Sequence, residues 1–129
     1  MPISETITEG IRVRVESSYS PERSLPSELR WFFIYEITLT NEGSETAQLL
    51  ERHWIITDGR GRVEEVRGPG VVGVQPTLAP GESYRYTSGC PLQTSFGTMH
   101  GTYLMVTPEG RRFEVEIAPF ALSEPYGIN

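Results

Sequence analysis

Ten consecutive residues, Trp31 to Thr40, read WFFIYEITLT and leave this chain few folds to choose from. Trp31, Phe33, Tyr35, Ile37 and Leu39 fall on one side of a period of two; Glu36, Thr38 and Thr40 fall on the other. Side chains alternate across a β-strand, so the run encodes a strand with one buried face. A helix would spread the same apolar residues around its whole circumference. The pattern recurs along the chain. Ile11, Val13 and Val15 alternate with Arg12, Arg14 and Glu16. Met99, Gly101, Tyr103 and Met105 share a face between Thr98 and Thr107, and Phe113, Val115 and Ile117 alternate with Arg112, Glu114 and Glu116. Ala47 to Asp58 is a further strand, with Trp54 and Ile56 inward and His53 and Thr57 outward. Apolar residues at both Leu49 and Leu50 blur its register.

Between these runs lie turn residues: Asn41-Glu42-Gly43-Ser44, Asp58-Gly59-Arg60-Gly61, Pro80-Gly81 and Pro108-Glu109-Gly110. Arg62 to Val66 and Ser83 to Ser88 read as shorter strands, Pro91 to Gly97 as a loop. Ser17 to Arg30, with Pro21 and Pro26, reads as a long surface loop; residues 1–9 read as loose, and residues 121–129 as a tail that is either free or folded back. Roughly seven strands with no helical period predict an all-β, immunoglobulin-like antiparallel sandwich. Only one cysteine is present, so the paired cysteines of an antibody domain are absent and the fibronectin type III-like variant is expected. The 129 residues are read as one domain over 1–125 with a short tail at 126–129.

Composition narrows the partners. Seventeen acidic against 11 basic residues give a net charge of −6, which opposes non-specific binding to nucleic acid or anionic lipid. No apolar run approaches the ~18 residues of a membrane span. A single Cys90 allows no disulfide within the chain, and Met1 to Glu5 carries neither the basic nor the apolar part of a signal peptide. A cytoplasmic address is expected.

The chemistry-bearing candidates are few. Gly68-Pro69-Gly70-Val71-Val72-Gly73 has the GxGxxG spacing. Dinucleotide sites need a helix directly after those glycines, its amides facing the pyrophosphate. Val71, Val72, Val74 and Pro76 do not make one. What remains is either a tight bend between sheets or a small anion nest of Gly68, Gly70 and Gly73 amides with Arg67 beside it. His53 and His100 fall on strands that neighbour each other in such a sandwich, both facing out, and are the weak candidates for a divalent ion. Cys90 has no Cys-x-x-Cys partner or nearby base in sequence and reads as a structural thiol. Tyr84, Arg85 and Tyr86, with Trp31, are either core or a recognition patch. No nucleophile elbow, phosphate loop or zinc pattern occurs, and no carboxylate pair stands out.

Three segments carry a family resemblance: Arg52-His53-Trp54-Ile55-Ile56-Thr57-Asp58, Arg67 to Leu92, and Gly97-Thr98-Met99-His100-Gly101-Thr102-Tyr103. Together they closely resemble the bacterial ApaG family, over about Ile11 to Leu122. The resemblance implies a fibronectin type III-like sandwich. Similar domains are attached to a eukaryotic F-box protein and to a DNA-polymerase-delta-interacting protein, where they look like interaction modules. The bacterial family is associated with cobalt resistance and magnesium efflux, and its name comes from a gene neighbourhood with diadenosine-tetraphosphate hydrolysis. It supplies no catalytic residue to carry over. The combined expectation is a non-catalytic protein-interaction module without a cofactor, its partner an unidentified protein or, weakly, a second copy. The alternative is a binder of pyrophosphate, a dinucleotide polyphosphate or a divalent metal at the glycine-rich loop.

Overall fold

A computed structural model describes residues 2–125. It contains nine strands: β1 Ile3–Thr8, β2 Ile11–Tyr19, β3 Trp31–Asn41, β4 Ala47–Asp58, β5 Val63–Pro69, β6 Thr77–Leu78, β7 Ser83–Leu92, β8 Phe96–Val106 and β9 Arg112–Ser123. Two antiparallel sheets form a sandwich, as expected. One has the order β1-β2-β3-β7; the other has the order β5-β4-β8-β9, with β6 added to β4.

The core lies where the inner faces meet. Ile11, Val13, Val15, Phe33, Ile37 and Leu39 come from the first sheet, and Leu49, Met99, Tyr103, Met105, Val115 and Ile117 from the second; all are essentially without solvent exposure. At its centre Trp54 meets Tyr35, Tyr103 and Phe120, with ring centroids 5.5–6.4 Å apart and all three pairs at steep angles of 65–84°. Such edge-to-face contacts add about 0.5–1.5 kcal/mol each beyond area burial. Buried Asn41 is fully used: its amide donates to the carbonyls of Glu45 and Leu78, and its oxygen accepts from Gly43. A buried amide without those partners would cost stability.

Several boundaries differ from the sequence reading. Residues 3–8 are not loose: β1 pairs in full register with β2, Ser4 opposite Val15 and Thr6 opposite Val13. The stretch from Ser17 to Arg30 is more ordered than a loop: β2 runs to Tyr19, and two 3₁₀ turns, Pro21–Arg23 and Pro26–Glu28, follow. β7 runs four residues further than expected, to Leu92. β9 continues past Ile117 to Ser123, so Ala121 to Ser123, the first residues of the segment read as a tail, are strand. The tail expected at 126–129 lies outside the described residues.

Two register shifts explain the ambiguous stretches. One falls in β4 between Leu49 and Glu51; the other lies opposite Met99 and Gly101, where β9 steps from Ile117 to Phe120. A bulge inserts a residue and reverses which parity faces the core. After the first bulge Arg52, Trp54 and Ile56 share the inner side; after the second, Phe120 and Leu122 replace the odd-numbered series.

Candidate functional site

The two flanks of the sandwich are unlike. On one, β1 and the end of β2 are stitched to β9 across the sheets. Ser4 Oγ donates to the Ala118 carbonyl at 3.1 Å, Ser17 Oγ donates to the Ala121 carbonyl at 2.7 Å, and the Glu116 amide donates to Thr8 Oγ1 at 3.2 Å. These bonds occupy edge groups that would otherwise invite another strand. On the other flank, the terminal strands β5 and β7 have no neighbour beyond them in either sheet. Between them opens a cavity of ≈290 Å³ that reaches in to Trp54 and Met99, with Ile56 and Val66 along its wall. A second hollow of ≈450 Å³ continues it, sharing Ile56, Glu64 and Pro91. Open strand edges beside a cleft that offers both apolar and charged side chains are the elements of strand-addition recognition.

Two charges line the inner cavity, Arg52 and Glu64, while Glu28, Arg30, Asp58 and Arg62 border the outer hollow. Neither Arg52 nor Glu64 makes an ion pair among the described residues. Arg52 Nη1 donates to the carbonyls of Pro69 and Gly70 at 2.9 and 3.0 Å. Its guanidinium lies flat against Gly68: a Cβ there would stand 2.9 Å from Nη2 and 3.0 Å from Cζ. The first glycine of the GxGxxG stretch is thus the bed of an arginine.

The rest of that stretch is a bend, and the chain after it stays extended to β6. Val71 and Val74 exchange both backbone hydrogen bonds, at 2.8 and 3.0 Å, around a two-residue turn. Val72 and Gly73 both have positive φ, 47° and 77°, as in a type I′ hairpin turn. Gly70 also has positive φ, and a Cβ on it would lie 2.4 Å from the Val74 carbonyl oxygen. The amides of Gly70, Val71 and Val74 are already donated within the protein. Arg67 points to the opposite face, 4.0 Å from Glu65. Gly68, Gly70 and Gly73 therefore stay close in the bend, while the Arg67 side chain is not brought over them.

Valine is a poor residue for this turn, because a β-branched side chain clashes with the backbone at positive φ. Val72 is 63% exposed, so it recovers little by packing. Val72→Asn, which creates the favoured Asn-Gly pair, is expected to stabilise the fold by about 1 kcal/mol. Urea unfolding checks this; an unchanged or lower midpoint would contradict the turn assignment.

Buried polar groups under the cleft are held neutral. The hydroxyls of Tyr86 and Tyr103 hydrogen-bond to each other. Burial raises both phenols well above the ordinary range, while Arg52 pulls weakly the other way. Burial, with a smaller contribution from Glu64, pushes the Cys90 thiol up to about 12. At pH 8 almost none of it is thiolate, the reactive form. Iodoacetamide is expected to modify native Cys90 roughly a hundredfold or more slower than a small free thiol, and at the normal rate once urea unfolds the chain. Rapid labelling of the folded protein would contradict this.

The other candidates fall apart spatially. Tyr86 is core, Tyr84 half-buried, and Arg85 lies outward 4.0 Å from Glu36. Trp31 turns its indole N–H to Glu124 at 3.0 Å. β4 and β8 are neighbours, with His53 opposite Thr102 and His100 opposite Ile55, so the histidines share the outer face as diagonal neighbours. That diagonal spans roughly 7–8 Å between backbones. His53 Nε2 is engaged with Glu65 Oε1 at 2.9 Å. Among the described residues no three His, Cys, Asp or Glu side chains gather where they could hold a metal ion. No helix of the described residues is long and apolar enough to cross a membrane.

Arg52 and Glu64 were not singled out from sequence. The signal for Arg52 was present, since it stands two residues before Trp54 and four before Ile56 on one strand face. A charged residue in an inward series is a pointer to function.

Comparison with known proteins agrees with this fold. The ApaG domain family matches residues 21–107. A protein named ApaG from Methylobacterium sp. (strain 4-46) is 54% identical over 119 residues, 92% of this chain and 92% of that protein. ApaG from Bradyrhizobium sp. (strain ORS 278) is 50% identical over 121 residues, 94% of this chain and 93% of that protein. A Bordetella pertussis protein solved by crystallography under the name ApaA superposes with a TM-score of 0.86 at 54% identity, covering 95% of this chain and 96% of its own. The glycine bend, the arginine laid across it and the stacked sheets all lie within the span these relatives share, and the chain belongs to the ApaG family.

Proposed function

We infer that this chain is a non-catalytic interaction module of fibronectin type III-like build, which binds a partner protein along the open β5/β7 flank. The observation that carries the reading is the asymmetry of the sandwich. One flank is closed by three side-chain to main-chain hydrogen bonds, while the other leaves two strand edges beside a cleft with an apolar floor and charged walls. The groups under that cleft are poor catalysts: a thiol pushed up to about 12 and two phenols raised by burial supply neither nucleophile nor base near neutral pH. In this reading, the family's association with cobalt and magnesium acts through the partner, and the module works in the cytoplasm.

A random peptide library displayed against the immobilised protein tests it. Binders are expected to be lost by Val66→Lys, which puts a charge into the cleft wall, and retained by Ile7→Lys, on the closed flank where Ile7 is 49% exposed. Loss by the second and not the first would overturn the reading. A second copy of the chain as partner would show as a dimer by light scattering that Val66→Lys dissolves.

The small-ligand alternative keeps one supporting feature, the exposed tip of the bend at Val72 and Gly73, whose amides take no backbone acceptor among the described residues. Titration with pyrophosphate or diadenosine tetraphosphate would move the Val72 and Gly73 amides if that bend is the site.

A further inference from the structure

We propose that the β5 edge takes an antiparallel strand carrying an acidic, an apolar and a basic residue at positions i, i+2 and i+4. This rests on the interaction reading above and specifies the chemistry of the partner. The inward side chains of β5 are Glu64, Val66 and Gly68, opposite Ile56, Trp54 and Arg52 of β4. A strand added to β5 places alternate side chains directly beside those three positions.

The position beside Gly68 meets a cation. With no side chain on Gly68, the Arg52 guanidinium lies across β5 toward its free edge, held in place by the Pro69 and Gly70 carbonyls. Both of those bonds use Nη1, and Nη2 and Nε take no protein acceptor among the described residues. A planar guanidinium fixed in this way suits a carboxylate, which it can grip with two parallel bonds. Beside Val66 lies the apolar wall of the cleft, continuous with Trp54 and Met99. Beside Glu64 lies an unpaired carboxylate. Four strand residues separate the two charges, roughly 13 Å at the rise of a β-strand. They are too far apart to neutralise each other, and one extended segment can reach both.

Direction follows from the geometry. An antiparallel partner runs from Gly68 toward Glu64, so its acidic residue comes first and its basic residue last. Antiparallel pairing is also the more stable edge geometry.

The test uses two eleven-residue peptides with identical threonine-rich flanks, one centred on Glu-Thr-Val-Thr-Lys and the other on Lys-Thr-Val-Thr-Glu. Binding is read by fluorescence anisotropy and by amide shifts of the full chain. The first peptide is expected to bind roughly tenfold tighter than the second and to shift β5 amides. Glu64→Lys, at an exposed position, is expected to cost the first peptide about tenfold and to favour a Glu-Thr-Val-Thr-Glu peptide instead. Gly68→Ala is expected to leave the fold intact, because only the end of a flexible side chain must move, yet to weaken the first peptide by displacing Arg52. Equal binding of the two peptides, or no effect of Glu64→Lys, overturns the charge rule while β5 shifts by either peptide would keep the interaction reading. Library binders that leave every amide of the open flank unmoved would overturn both.

Discussion

Replacing Trp54 with alanine is expected to cost about 3–5 kcal/mol of folding stability. Trp54 is 3% exposed and sits at the junction of both sheets, against Tyr35 of β3, Tyr103 of β8 and Phe120 of β9. Those neighbours are aromatic rings fixed by their own packing, and two bulges define the strands beneath them. They cannot collapse into the space an indole leaves, so the lost burial and the cavity add. Trp54 also lines the cleft wall, so the hole would open toward the proposed binding surface. Urea unfolding with an unchanged slope is the check. A loss under about 1 kcal/mol would mean the centre of the core lies elsewhere.

Gly101→Ala is expected to be nearly as severe, about 3 kcal/mol or more, from a single methyl group. Gly101 lies in β8 between β4 and β9, where the β8–β9 register shifts. A Cβ at that position would stand 2.0 Å from the His53 carbonyl oxygen and 3.2 Å from the Trp54 Cα. Both obstacles are backbone of the central pair of strands, so relief requires the β4–β8 ladder itself to separate. Gly89 offers the contrast: a Cβ there would meet only the ring of Phe32, a side chain able to swing away. Gly89→Ala is expected to lose less than half as much. Comparable unfolding midpoints for the two variants would contradict the close approach of β4 and β8.

These particular residues show what can be read from the chain unaided. The alternation from Trp31 to Leu39 dictated a strand with one buried face, because no other regular structure hides those side chains together. The neighbouring of β4 and β8, and the outward turn of His53 and His100, followed from strand count and parity. Reading failed where parity itself changes. At Leu50 and near Ala118 an extra residue swaps the faces, and the sequence carries no mark of it except two apolar residues in succession and Pro119. The β9 strand was therefore cut short. β1 was overlooked because its exposed, half-buried alternation reads as polar, although six backbone pairings and two side-chain bonds to β9 hold it. The Val71–Val74 hairpin escaped notice because valine is the wrong residue for a type I′ turn.

The candidate site was less legible than the fold for a related reason. Sequence spacing proposes sites from residues close in the chain, such as Gly68 to Gly73. The cleft is made by residues that strand order brings together: Arg52 and Glu64 across one hairpin, and β7 from the other sheet. Gly68 takes part in it, through the guanidinium that lies on it and not through a phosphate-facing amide.

The location of the binding surface is the claim on which the functional account stands. Amide shift mapping of the full chain with a peptide selected from a random library measures it directly. Shifts gathered on Glu64 to Gly68 of β5, Ser88 to Cys90 of β7 and the Arg52 side chain are the expected result. Shifts gathered on β1 and β9, with the open flank silent, would contradict it.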